Sequence, residues 1–267
     1  MLIRMGKLIV ISSGKGGVGK TTTSVNLATA LAKQGKNVIL VDGNLTTPNV
    51  GLHLGLTKFP ITLNDVLRGE AALTDAIYIH PLGFKLVPGS LSIRSIAEIN
   101  SRKLKKLFED LREMADFVIV DSAAGLGNEA LSILRHADEI ILVTNPELPA
   151  VTDAFKVVTL AREIGIPVKG VVLNKVRKNN FDLGFKAIQS LLETPITSVI
   201  EDDKHMRQAV YRKKPISHVK PNSKSAKQYH ALAHRVHKGE YEKKIEELEL
   251  ENSFLKALIK SMGFKGN

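Results

Sequence analysis

Residues 14–21 read Gly14-Lys-Gly-Gly-Val-Gly-Lys-Thr21, and the architecture can be inferred outward from them. An apolar run at residues 8–11 precedes this stretch, and a helical pattern over residues 22–34, closed by Gly35, follows it. A Gly-x-x-x-x-Gly-Lys-Thr sequence between a strand and a helix is the context of a phosphate-binding P-loop. The stretch therefore predicts a strand, a phosphate-binding loop and a helix in succession.

The P-loop also predicts the cofactor. Glycines let the backbone amides converge on phosphates, and the N-terminus of the following helix adds partial positive charge. We expect Lys20 to reach the terminal phosphates and the Thr21 hydroxyl to ligate magnesium, so the predicted cofactors are ATP or ADP and Mg²⁺. The predicted cradle comprises Gly14, Lys15, Gly16, Gly17, Val18, Gly19, Lys20, Thr21 and Thr22.

Further short apolar runs continue the pattern. They are residues 38–41, 84–87, 117–120, 139–143 and 169–173. Unbroken apolar character without alternation is typical of parallel strands covered on both faces. Helical stretches lie between the runs, for example residues 101–114. We predict an α/β fold with a doubly wound, mostly parallel sheet, helices on both faces and an appended C-terminal helix.

Composition excludes several classes of protein. The chain of 267 residues has no cysteine, which rules out disulfides, thiolate zinc sites and cysteine-ligated iron–sulfur clusters. No apolar run approaches the roughly 20 residues that a membrane span needs. Because the first residues lead directly into a strand rather than a secretory signal, we expect a cytoplasmic protein.

The formal net charge of +11 indicates an anionic partner. Residues 204–238 hold ten Lys or Arg, five His and no Asp or Glu. Acidic lipid and the phosphates of nucleic acid would both be attracted by this segment, and binding to nucleic acid should weaken steeply with salt. The charge alone does not distinguish these two partners.

Lys15 carries a family resemblance. Ordinary P-loops need no lysine directly after the first glycine, and the Gly14-Lys15 start with Thr21-Thr22 at the end resembles the deviant Walker A motif of the MinD and ParA ATPases. In that family this lysine crosses a dimer interface to the partner's nucleotide. The resemblance covers residues 7 to about 237 and implies an ATP-dependent homodimer.

Two carboxylates are predicted to hold magnesium. Asp42 and Asp121 each end an apolar strand, at the sheet edge where ligands bind. Hard oxygen ligands suit Mg²⁺, so the predicted metal residues are Thr21, Asp42 and Asp121. Residues 121–125 also resemble the family's Walker B and switch II segments, with Ala123 where a proline is usual.

The switch I segment departs from the family pattern. Asn44 stands where the family usually has a second aspartate that helps to activate the attacking water. An amide can position water but is a very poor general base. We expect slow ATP hydrolysis, with Lys15, Lys20, Asp42 and Asn44 as the catalytic residues.

Other nucleotide contacts follow from the resemblance alone. Asn174 stands where the family reads the adenine edge, and the loop at residues 199–203, with Asp202 and Asp203, stands where the family packs against the base. Glu147, in the sequence Val143-Thr-Asn-Pro-Glu147, completes the set of predicted contacts.

The sequence of the C-terminal residues allows three interpretations. Phe254, Leu255, Leu258, Ile259 and Met262 share one helical face, with lysines on its flanks, which is the layout of an interfacial membrane helix. The same region also matches a short heptad repeat with Asn252 at an inner position, which is typical of a coiled coil. Packing of this helix onto its own domain is the third alternative.

These observations predict an ATPase domain at residues 1–238 and an amphipathic helix at residues 239–267. The first hypothesis is a MinD-like switch whose ATP-bound homodimer binds an anionic membrane and a regulatory protein, so that it is cytoplasmic with ATP-dependent peripheral membrane association. The alternatives are a ParA-like partition ATPase that binds nucleic acid and a nucleotide-binding scaffold with little catalysis.

Overall fold

The computed structural model describes residues 5–91, 101–177 and 183–242. Eight strands lie in this part of the chain: β1 Lys7–Ser12, β2 Val38–Gly43, β3 Tyr78–Ile79, β4 Lys85–Val87, β5 Phe117–Ser122, β6 Glu139–Thr144, β7 Val168–Val176 and β8 Ile196–Glu201. The helices are α1 Lys20–Lys33, α2 Val50–Leu54, α3 Leu63–Arg68, α4 Ser101–Glu113, α5 Asn128–Leu134, α6 Leu148–Glu163, α7 Phe185–Leu192, α8 Lys204–Tyr211, α9 Ile216–Val219 and α10 Lys224–Lys238.

The strands form one sheet in the order β3-β4-β2-β5-β1-β6-β7-β8. All neighbours are parallel except β3 and β4. The chain winds to one side of β1 through β5 and β2, and to the other side through β6, β7 and β8. A crevice therefore opens at the carboxyl end of β1, where ligands bind in doubly wound sheets.

Helices cover both faces of the sheet, as predicted. Ile9 and Ile11 of β1 belong to a buried cluster with residues of α1 and α10. Leu8 and Val10, which point to the opposite face, belong to a cluster with residues of α4 and α5. Burial on both faces explains why the central strands are continuously apolar.

The six predicted strands and the two predicted helices are confirmed, but the strands β3 and β8 were not predicted. β8 has polar Thr197 and Ser198 in its interior, and both side chains are buried. Because its composition is mixed, β8 does not stand out as an apolar run. Residues 199–201, predicted as part of a loop, end this strand.

The packed domain extends past the boundary predicted at residues 238 and 239. Tyr241 is buried, its hydroxyl donates a hydrogen bond to Glu139, and its carbonyl accepts one from Thr197 Oγ1 at 3.0 Å. The predicted terminal stripe from Phe254 to Met262 lies outside the described residues. Among the helices that are described, none has the length and apolar character needed to cross a bilayer.

Candidate functional site

A cavity of about 810 Å³ lies at the carboxyl end of β1, between the P-loop, the loop after β2 and the start of α8. Its volume falls in the range of small-molecule sites. It brings together most of the predicted nucleotide-site residues. Those that line it are Lys15, Gly16, Gly17, Gly19, Lys20, Thr21, Thr22, Asn44, Asn174, Asp202 and Asp203.

The floor of the site is centred on Asp121, which is fully buried at the end of β5. Lys20 Nζ lies 3.1 Å from Asp121 Oδ1, and Thr21 Oγ1 donates to Asp121 Oδ2 at 2.7 Å. Ser24, one helical turn after Lys20, also donates to Asp121 Oδ1 at 2.9 Å. An ammonium, a hydroxyl and a carboxylate therefore converge at the first turn of α1.

Asp42 lies beside Asp121 in the sheet but does not line this cavity. The two residues are register partners on β2 and β5. The Asp42 carboxylate accepts backbone N–H groups of Val50 at 2.9 Å and Asn44 at 3.3 Å. Its complete burial and the neighbouring Asp121 raise the pKa of Asp42 to about 8. Asp42 faces a smaller neighbouring cavity with Pro48 and Gly89.

Two glycines of the P-loop are required by close contacts. Gly19 has φ +100°, and a Cβ built on it would lie 2.0 Å from Asn174 Nδ2. A Cβ on Gly14 would lie 2.2 Å from the backbone of Asp153. Any side chain would push the loop away from β7 or α6, so the glycines permit its packing as well as its curvature. Val18 is buried beneath the loop, and neither Gly14 nor Val18 lines the cavity.

The side chains of Asn174 and Lys175 donate hydrogen bonds to the backbone of the P-loop. Asn174 Nδ2 donates to the Val18 carbonyl at 2.7 Å, and Lys175 Nζ donates to the Gly17 carbonyl at 2.6 Å. Lys175 has φ +56°, a left-handed conformation unusual for a residue with a side chain. The predicted adenine contact at Asn174 therefore has its amide nitrogen engaged by the loop, and only its oxygen remains for a base.

Lys15 and Asn44 both line the cavity, but Lys15 is exposed and Asn44 is buried. Lys15 is exposed at the rim, and its carbonyl accepts a hydrogen bond from Ser13 Oγ at 3.1 Å. Asn44 is buried, and its Oδ1 accepts from Thr47 N and Thr47 Oγ1, both at 3.1 Å. Within the described residues, no hydrogen bond involves the Asn44 side-chain nitrogen, which can face a ligand.

Helix α8 forms the wall opposite the P-loop, where Met206, Arg207 and Val210 line the cavity. Asp203 caps this helix by accepting from His205 N at 2.8 Å. Burial alone would raise the pKa of Asp203, but hydrogen bonds from His205 and Ser225 hold the pKa below its usual value.

Glu147, like Gly14, Val18 and Asp42, is a predicted site residue that does not line the cavity, and several residues at the site were not predicted. Glu147 is exposed before α6 and does not line the cavity of its own chain. Ser24 could have been found from its spacing of four after Lys20, which places both on one helical face. Lys175 carries no sequence signal beyond its position next to Asn174. His53 lines the cavity with its Nε2 3.3 Å from Thr22 Oγ1, a contact that only the tertiary fold creates.

The residues present fit a magnesium nucleotide. The glycine loop leaves open space above Gly16 and Gly17, where an added Cβ would meet nothing within 4 Å. The hydroxyl of Thr21 and the carboxylate of Asp121 are hard oxygen ligands of the kind that Mg²⁺ binds. A P-loop that opens a helix at the edge of a parallel sheet defines the class of P-loop NTPases.

Comparisons with known proteins agree with this class. A family model named ParA and described as "NUBPL iron-transfer P-loop NTPase" matches residues 4–237. An uncharacterised ATP-binding protein of Methanocaldococcus jannaschii is 36% identical over 262 residues, which cover 98% of each chain. The antiactivator FleN of Pseudomonas aeruginosa is 34% identical, with 86% of each chain covered.

Among solved structures, the septum site-determining protein MinD from Pyrococcus horikoshii, complexed with Mg-ADP, superposes with a TM-score of 0.82. It is 37% identical, and the match covers 87% of the present chain and 96% of the MinD chain. The chain belongs to the MinD/ParA family of P-loop NTPases. The resemblance predicted from Lys15 and the P-loop is thus confirmed.

Proposed function

We propose that the chain is an ATP-dependent dimerising switch of the MinD type. In this proposal, Mg-ATP joins two copies through their P-loop faces, and the dimer binds an anionic membrane surface and a regulatory protein. Slow hydrolysis then returns the protein to monomers. Such a switch would position cell division or another cellular machine.

The observation that carries this proposal is the convergence of Lys20, Thr21 and Asp121 beneath the cavity. In this proposal, Lys20 would bind phosphate oxygens and the Thr21 hydroxyl would be a ligand of the metal, in place of their present contacts with Asp121. Thr21 and Asp121 would hold Mg²⁺, which supplies neutralisation of the phosphate charges. The oxygens of Asp42 accept hydrogen bonds from backbone amides, so Asp42 would affect the metal indirectly, through Asp121 or a bound water.

The exposure of Lys15 supports dimerisation. Lys20 is engaged within its own chain, whereas the Lys15 side chain makes no hydrogen bond or ion pair within the described residues. A cation at the rim of the cavity, free to leave it, suits a role in the nucleotide site of a second copy. Electrostatic stabilisation of the transferred phosphate is the main contribution such a lysine can make.

Substitution of Lys15 tests the switch. We expect Lys15→Ala to retain binding of a fluorescent ADP analogue, to lose ATP-dependent dimerisation in size-exclusion chromatography, and to lower the ATP turnover number at least about 100-fold. Lys227→Ala, an exposed lysine on α10, is the control and should behave as wild type. ATP-dependent dimers of normal yield in Lys15→Ala would contradict the proposal.

Asn44 accounts for the proposed slow turnover. Asn44→Asp keeps the oxygen that accepts both hydrogen bonds from Thr47 while it adds a negative charge beside the site. We expect about 10- to 100-fold faster hydrolysis, since a general base typically contributes this much or more. Single-turnover measurements separate hydrolysis from product release, and equal rates in the two proteins would refute the role of Asn44.

The kind of partner is proposed from the names of the relatives and from the charge of the surface. One relative is named an antiactivator and a solved relative is named a septum site-determining protein, so one family switch serves different machines. The cations of α8 and α10 also keep a ParA-like nucleic-acid partner in consideration. Salt-dependent gel shifts of non-specific DNA, with and without ATP, test that alternative.

A further inference from the structure

A second surface lies beside the mouth of the nucleotide cavity, where α8 ends. Tyr211, the last residue of α8, is 88% exposed, and Val210 before it is 40% exposed. On the neighbouring segment, Leu56 is 38% exposed. Three large side chains with apolar character are thus open to solvent in one region of the molecule.

The turn after α8 contacts the end of α2. A Cβ built on Gly55 would lie 3.3 Å from the Cβ of Lys213. This contact brings Leu56, the next residue along the chain, beside the turn. We name the resulting patch the α2–α8 surface, which comprises Leu56, Val210, Tyr211, Arg212, Lys213 and Lys214.

The α2–α8 surface is strongly cationic. The segments that build it, residues 43–64 and 204–238, contain no Asp or Glu. Within the described ranges, neither Arg212, Lys213 nor Lys214 forms an ion pair. Arg212 and Lys214 line one shallow depression together with His218, so their charges add on the same side of the molecule.

Exposed apolar side chains beside cations without an ion-pair partner fit the interface of an anionic lipid bilayer. Tyrosine is enriched at the level of lipid headgroups because its ring is apolar and its hydroxyl is polar. Lysine and arginine are attracted to the negative surface of such membranes. A nucleic-acid backbone would use the cations but would leave Leu56 and the exposed ring of Tyr211 without an apolar partner, so the observations favour lipid.

We propose that the α2–α8 surface is a membrane-binding site on the folded domain, which contacts anionic phospholipid directly and independently of residues 243–267. This inference deepens the membrane association proposed above and rests on it. Arg207 and Val210 of α8 also line the nucleotide cavity, so one helix contacts both the nucleotide site and the membrane.

A tryptophan probe tests the contact in the full-length protein. The chain has no tryptophan, so Tyr211→Trp introduces a single reporter at the α2–α8 surface. Its matched control is Ile79→Trp on β3, at a residue that is 84% exposed and outside this surface. Vesicles of phosphatidylcholine mixed with phosphatidylglycerol, with and without bromine-labelled acyl chains, are added with ATP.

We expect Trp fluorescence at position 211 to shift to shorter wavelength and to be quenched by the brominated chains, while the control reporter changes neither property. Arg212→Glu combined with Lys214→Glu should weaken vesicle binding about fivefold or more per cation removed. Nucleotide affinity and thermal melting of each variant are measured in parallel, so that a loss of the ATP switch is distinguished from a loss of membrane contact.

Three results would overturn the assignment. The protein could bind vesicles while the reporter at position 211 remains unquenched, which would leave the contact to another part of the chain. The reporter could respond to DNA and not to vesicles, which would make the surface a nucleic-acid site. Vesicle binding by the double charge variant at the wild-type level would show that the cations are not used.

Discussion

At the scale of single residues, the buried polar groups of the site are paired with one another. Asp121 accepts hydrogen bonds from Lys20, Thr21 and Ser24, so its buried charge is paired. An unpaired carboxylate in such a place would be costly. The same arrangement holds Lys20 in a fixed position beside Thr21.

Asn174 offers a residue-scale prediction that separates two roles. If Asn174 mainly braces the P-loop through Val18, Asn174→Ala should weaken ATP and GTP binding by the same factor, about 5- to 10-fold for one lost hydrogen bond. Calorimetric titration of both nucleotides measures this. A selective loss of ATP affinity would instead indicate that the Asn174 oxygen reads adenine.

Lys175→Met is the matched control for the brace. It keeps the length of the side chain but removes the donor to the Gly17 carbonyl. We expect a similar, non-selective loss of nucleotide affinity, since both residues act on the loop rather than on the base. Unchanged binding in Lys175→Met would restrict the brace to Asn174.

At the scale of elements, the wall of the cavity depends on how α8 begins. Asp203 accepts hydrogen bonds from the His205 backbone and ring and from Ser225. These contacts connect the start of α8 to α10. The positions of Arg207 and Val210 in the cavity wall follow from this cap, because both residues lie on the helix that it starts.

Asp203→Ala should lower the free energy of unfolding by about 1 kcal/mol through loss of the N-cap. Because the pKa of Asp203 is held below its usual 3.8, the ionised group stabilises the fold fully above that pH. This contribution is lost as the pH falls through the lower folded-state pKa. Urea unfolding at neutral pH and near pH 3 checks both statements.

Asp203→Asn is the matched variant, since asparagine also caps helices but cannot ionise. We expect most of the stability to be retained at neutral pH, without the acid-dependent loss that is specific to Asp203. If wild type and Asp203→Asn lose stability in parallel as the pH falls, the carboxylate of Asp203 is not the source.

At the scale of the whole molecule, residues far apart in sequence contact one another at the end of the sheet opposite the nucleotide cavity. The Tyr241 hydroxyl donates to Glu139 on β6, and Lys7 on β1 pairs with the other Glu139 oxygen at 3.1 Å. Arg235 donates to the Thr197 carbonyl at 2.8 Å, which attaches α10 to β8. Tyr241 therefore lies at the end of the sheet away from the cavity.

Tyr241→Phe should destabilise the protein by about 1–3 kcal/mol, because the buried Glu139 loses a hydrogen bond while the ring remains packed. Burial and the nearby Glu139 raise the pKa of Tyr241, so its hydroxyl stays a donor at physiological pH. Denaturant unfolding measures the change. Tyr211→Phe, at an exposed tyrosine, is the control, and an equal effect in both variants would contradict the argument.

Much of the fold and of the site can be predicted from local sequence. The P-loop, Asp121 at a strand end and the doubly wound sheet follow from neighbouring residues, because glycine conformation, helix periodicity and apolar runs are local properties of the chain. β8 was not predicted, since its buried Thr197 finds its partner at Tyr241, which lies far along the chain.

The amino-acid sequence by itself therefore determined the class of nucleotide site, the parallel sheet and the concentration of positive charge in residues 204–238. Only the tertiary structure decided that Asn174 and Lys175 donate hydrogen bonds to the P-loop, that Asp42 lines a neighbouring cavity, and that Gly55 lies against Lys213 in the turn after α8. These contacts join residues that are distant along the chain, and their geometry arises only when the strands and helices pack.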